Sequence, residues 1–97
     1  MKIKDLCESE RPREKMMRFG SASLSDGELI AVLLRSGSRT DSALDLSQRL
    51  LAMSGGHLTE LFNMPYSRMS SIPGIGSVKV ASVLAAFELG KRFLAEG

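Results

Sequence analysis

Ninety-seven residues, 43% of them hydrophobic, 5% aromatic with no tryptophan, and a net charge of +2 describe one small domain with an aliphatic core. These values exclude a disordered chain, which needs higher charge and fewer aliphatics. A single cysteine, Cys7, excludes a disulfide framework and suits a reducing compartment. The longest apolar run, Leu29 to Leu34, is far below the ~20 residues of a membrane span. The N-terminal Met1-Lys2-Ile3-Lys4-Asp5-Leu6 carries no apolar stretch of signal-peptide length, so a cytoplasmic location is expected.

Residues 1–10 show little periodicity and read as an arm. Pro12 suits the first turn of a helix through Phe19, closed by Gly20. Arg11, Lys15 and Arg18 share one face of it, and Glu14 and Arg18 are spaced to pair. Ser25-Asp26-Gly27-Glu28 is a capping box, and a largely buried helix is expected from Asp26 to about Arg35, with Gly37 as its left-handed stop. A polar turn over 36–40 leads to a helix from about Asp41 to Met53, closed by Gly55-Gly56. Asp41 and Asp45, four apart, are read as helix-start acids and not as a metal grip. His57 has no cysteine or second histidine to complete a zinc site. A turn or two of helix over 58–63, another around Tyr66 to Ser71 and a long helix from about Ser77 to Leu94 follow. That last helix is apolar around most of its circumference, which predicts the central element of the core. No segment has a sustained period of two, so the fold class expected is all-α, with five or six short helices.

The stretch Ile72-Pro73-Gly74-Ile75-Gly76-Ser77-Val78-Lys79-Val80-Ala81 resembles the helix-hairpin-helix motif of DNA repair and recombination proteins. Glycine at 74 and 76 permits positive φ and removes side chains that would hold a phosphate away. Ile75 is expected to point inward, and Ala81 to let two helices approach closely. Backbone N–H groups at Gly74, Gly76 and the start of the last helix would then form an anion site from main chain and helix dipole. Ser77 and Lys79 complete it. Such a site grips phosphate and not bases, so binding would be independent of sequence. Leu33-Leu34-Arg35-Ser36-Gly37-Ser38-Arg39 resembles a degenerate first copy, with Ser38 in place of the second glycine. The expected architecture is therefore a pseudo-duplicated tandem hairpin, with Arg35, Gly37, Ser38 and Arg39 as a second phosphate patch or a plain polar turn.

The whole chain further resembles the N-terminal domain of the RadC family, bacterial proteins named for DNA repair. The residues carrying this are Arg11-Pro12-Arg13-Glu14-Lys15 with Phe19-Gly20, Leu24-Ser25-Asp26 with Glu28-Leu29, Leu33-Leu34-Arg35-Ser36-Gly37, Ile72-Pro73-Gly74-Ile75-Gly76, and Glu88-Leu89-Gly90-Lys91-Arg92. Gly27 and Val80 stand where alanine is expected. The resemblance implies a hairpin domain over residues 11–95, the start of a linker at 96–97, and a following JAB/MPN-like domain. That domain's zinc site uses a His-x-His pair and an aspartate, which this sequence does not contain; zinc belongs to it alone.

No catalysis is expected from these 97 residues. They offer no Ser/His/Asp or Cys/His set, and Val78 occupies the position where lyase-type hairpin glycosylases carry their lysine. Two functions from different classes remain. The first is sequence-independent binding of duplex or junction DNA that positions the metallohydrolase-like domain. The second is a protein-interaction or regulatory module, with a protein partner or self-association through the last helix and no DNA contact. No cofactor is expected beyond a monovalent cation that hairpin carbonyls hold in some relatives of the motif.

Overall fold

In a computed structural model, residues 10–97 are described; the expected arm, with Cys7, lies almost wholly outside them. The chain is all-α as expected, and the six helices among the described residues are α1 (Glu10–Phe19), α2 (Asp26–Leu34), α3 (Ala43–Met53), α4 (Leu58–Phe62), α5 (Tyr66–Met69) and α6 (Ser77–Glu96). A single 3-10 turn, Ser21–Ser23, separates α1 from α2, and there is no strand among the described residues. Among the described residues no helix is long and apolar enough to cross a membrane.

The helix starts follow local chemistry. At α2 the Ser25 hydroxyl accepts from the Glu28 N–H while the Glu28 carboxylate accepts from the Ser25 N–H, the reciprocal box read from the sequence. A second box, unforeseen, opens α3: Ser42 and Asp45 exchange the same two bonds. Asp41 lies outside that helix and pairs with Arg49 at 3.1 Å, so the two acids serve separate tasks. Helix ends also use glycine where expected. Gly20 (φ +90°) ends α1 with its N–H on the Met16 carbonyl, and Gly56 (φ +82°) closes α3 onto the Leu51 carbonyl. Lys15 of α1 reaches Glu28 at 3.2 Å, a longer-range pairing than the Glu14–Arg18 bond expected within α1.

The Ser25 backbone N–H, followed by the Lys15 ammonium, holds the Glu28 carboxyl below its ordinary range. A carboxyl depressed by folding contributes stability above its unfolded pKa of about 4.3, and loses it as pH falls through the folded value. Glu28→Gln should therefore lower the melting temperature at pH 7, and the gap from wild type should close on acidification towards pH 3. A gap that persists unchanged at pH 3 would refute the ionic contribution.

The core is aliphatic. Ile30, Ala31 and Leu34 of α2 meet Ala43, Leu46 and Leu50 of α3, with Leu61, Met64, Met69, Ile72 and Ile75 from the short elements closing one side. Val80 and Val83 are the buried residues of α6. Gly27 faces α3, where a methyl group would meet Leu51 Cδ1 at 3.5 Å, ordinary contact for the alanine expected there from the family resemblance. Ala81 corrects the sequence reading, because it is exposed and Val80 takes the buried position. The second correction concerns the whole of α6: Leu89, Phe93 and Leu94 are at least two-thirds exposed. Only its N-terminal half is central, and its helix continues through Glu96, where a linker was expected to begin.

Candidate functional site

The two hairpins are α2–turn–α3 and α5–turn–α6, and their turns sit on each other. Gly74 (φ +96°) lies so close to the first turn that a Cβ there would meet Ser38 Cβ at 2.9 Å and Leu46 Cδ2 at 3.3 Å. Ile75 is buried beneath it, as expected from its place between two glycines. Gly76 needs no unusual conformation: its φ is −98°, and the space around a Cβ is empty. Its bareness leaves the end of α6 unobstructed.

That end is open, and the short α4 and α5 likewise start without a side-chain cap. The starts of α2 and α3 are closed by their own serine and carboxylate side chains, whereas α6 has no side-chain cap and no acidic residue in its first turn. The N–H groups of Gly76, Ser77, Val78 and Lys79 donate to no acceptor among the described residues. Gly74, Gly76, Ser77 and Val78 are all exposed. Unsatisfied N–H groups with the positive end of a helix dipole attract an anion.

Lys79 is placed differently from the sequence expectation. Its ammonium donates to the Leu34 carbonyl at 2.8 Å, the Ser36 carbonyl at 2.7 Å and Ser36 Oγ at 3.2 Å. An ammonium has three donors, so all are engaged in tying α6 to the C-terminal end of α2. Burial, then the neighbouring Arg35 charge, pushes the Lys79 pKa down. Lys79 is a strut between the hairpins, and a phosphate would reach it only by displacing one of these bonds.

The first turn also departs from a copy of the second. Left-handed backbone falls on Arg35 (φ +73°) and not on Gly37. The Ser36 N–H returns to the Leu34 carbonyl at 2.8 Å, a tight three-residue turn that strains a residue with a Cβ. Gly37 is needed for space, since a side chain would strike the Asp41 carbonyl. Ser38 lies four residues before the α3 cap and not at a helix start. Its N–H is held by the Asp41 carbonyl, and its hydroxyl accepts from Thr40 and Asp41 N–H groups. Those bonds remove the Ser38 N–H from any anion site. Arg35 and Arg39 are exposed, and their guanidinium groups make no hydrogen bond or ion pair among the described residues. Sequence spacing missed the Lys79 strut because its partners lie 43 and 45 positions away.

Elsewhere, a cleft of about 360 Å³ between α4 and α6 is floored by Phe62 and Phe87 and rimmed by Asn63, Glu88 and Lys91. Among the described residues no three His, Cys, Asp or Glu gather to hold a metal ion.

The molecule is thus an all-α double-hairpin domain whose stacked turns present one open helix start beside two unpaired arginines. The chain belongs to the UPF0758 family: residues 3–81 match the model described as UPF0758 N-terminal. It is 50% identical over 94 residues to a UPF0758 protein of Flavobacterium johnsoniae, covering 97% of this chain and 41% of that one. A UPF0758 protein of Psychrobacter arcticus is 45% identical over 94 residues, with the same coverage. One of Alcanivorax borkumensis is 47% identical over 96 residues, covering 99% of this chain and 42% of the relative. The chain therefore spans about two-fifths of the length of these relatives. No solved structure matches it.

Proposed function

We propose that this domain binds the phosphate backbone of DNA without sequence preference. In longer chains of the RadC type that it resembles, it would bring a JAB/MPN-like metallohydrolase domain to nucleic acid. The observation that carries this reading is the uncapped start of α6 behind the bare Gly76, in a chain that caps α2 and α3 with their own side chains. Backbone N–H groups of Gly76, Ser77 and Val78 would hold one phosphate, with Gly74 and Ile75 shaping the turn. Arg35 and Arg39 would contact a neighbouring phosphate. Gly37 and Ser38 shape the first turn, and Lys79 holds the two turns together. A net charge of only +2 suffices when main-chain donors do most of the work.

The test is a salt titration with unrelated duplexes. Two to four neutralised phosphates give a slope of log K against log salt of roughly −2 to −4, with micromolar or weaker affinity. Arg39→Glu should weaken every duplex about equally and leave the melting temperature unchanged. Gly76→Asp is the sharper variant, because its backbone already has the extended geometry of a cap residue. A carboxylate there would cap α6, stabilise the fold by about 0.5 kcal/mol and fill the anion site, cutting DNA affinity roughly tenfold. Absence of salt-dependent binding at low ionic strength, or undiminished binding by Gly76→Asp, would defeat the proposal.

A further inference from the structure

The outward face of α6 carries a second apolar stripe that the fold does not use. Val80, Val83, Leu84 and Phe87 turn towards the core cluster. At roughly 100° per residue, Val78, Ser82, Ala85, Leu89 and Phe93 line up on the opposite side. Val78, Leu89 and Phe93 are 77%, 67% and 75% exposed, and Ala85 is exposed as well. Ser82 adds no unsatisfied polar atom, because its hydroxyl donates to the Val78 carbonyl at 3.2 Å. The spacing of four, three, four and four residues is that of a helix-pairing seam. Glu88, beside the stripe, pairs with Arg92 and Lys91 of its own helix, and the exposed Glu96, three residues beyond Phe93, bounds the stripe at its end.

We infer that this stripe is a homodimer interface in which two α6 helices pack antiparallel about a two-fold axis near Ala85 and Ala86. The sequence is self-complementary about that point. Antiparallel pairing sets Val78 against Phe93 of the second copy, Ser82 against Leu89, and Ala85 against Ala86. Large residues meet smaller ones at the ends, and alanines meet at the crossing where backbones approach most closely. A two-fold interface requires this reciprocity. Three large exposed side chains per protomer make a patch smaller than the ~800 Å² per partner of a standard interface, so a second copy is held weakly. The pairing leaves the start of each α6 at opposite ends of the dimer, and it does not depend on the DNA reading.

Sedimentation equilibrium of the 97-residue chain should show a reversible monomer–dimer transition between ~10 µM and 1 mM, as a weak association requires. Leu89→Glu should raise the dissociation constant at least tenfold without lowering the melting temperature. In a Cys7→Ser background, Ser82→Cys combined with Leu89→Cys should oxidise to a covalent dimer, whereas Leu89→Cys alone should not. A chain monomeric to 1 mM, a dimer indifferent to Leu89→Glu, or efficient cross-linking by Leu89→Cys alone each overturns the inference. So does a monomeric chain whose Leu89 becomes protected only when the residues that follow in the longer relatives are appended, which would assign the stripe to that segment.

Discussion

Gly37→Ala should cost about 3 kcal/mol of stability or more, the largest effect expected from adding one methyl group at any described glycine of the domain. A Cβ at this position would overlap the Asp41 carbonyl oxygen and lie 2.7 Å from Ser42 Cα, and neither is a flexible side-chain tip. Relief requires the backbone to move. That carbonyl accepts the Ser38 N–H, and Ser42 is the cap of α3. Any shift therefore loosens the first turn, the start of α3 and the seat of Gly74 together. Gly76→Ala is the matched control, because nothing lies within 4 Å of its added Cβ and its φ is ordinary. Urea denaturation of both variants checks the contrast. A Gly37→Ala loss below ~1 kcal/mol would show that the turn relaxes freely.

Lys79→Met should destabilise the domain by about 2 kcal/mol while leaving the DNA salt slope unchanged, where loss of a phosphate contact would reduce it by about one. Methionine keeps most of the aliphatic stem but abandons the Leu34 and Ser36 carbonyls and the Ser36 hydroxyl. Charge-assisted hydrogen bonds are worth more than neutral ones, and the partial exposure of this site moderates the loss. A phosphate-binding lysine would give the reverse pattern, with little change in the melting temperature and a smaller salt slope. Denaturation and DNA titration of the same protein separate the two roles.

Much of this fold was legible because its signals are local. Ser25 and Glu28 sit three residues apart, and Gly20 and Gly55-Gly56 mark chain reversals that the structure uses as written. Ile75 between two glycines was readable as a buried staple for the same reason. Sequence spacing missed what a partner far along the chain decides. The bonds of Lys79 to Leu34 and Ser36 emerge only when α2 is brought beside α6. Gly37 invites a left-handed assignment, yet the following α3 start needs its lack of volume, and Arg35 takes the turn instead. Ala81 and Val80 differ by one position, and a hydrophobic pattern covering most of α6 could not say which side is covered. That pattern contains two apolar faces, so periodicity predicted burial for residues that meet solvent.

The contact between Gly74 and Ser38 fixes more than packing. Because the first turn closes on itself through the Asp41 carbonyl and the second lies on top of it, both loops are ordered when the chain folds. Freezing a loop residue costs on the order of 1–2 kcal/mol, and here that entropy is lost during folding and not at the moment of capture. An incoming ligand meets a rigid template, so its capture should be fast, nearly free of conformational heat effects, and limited by how few contacts the template offers.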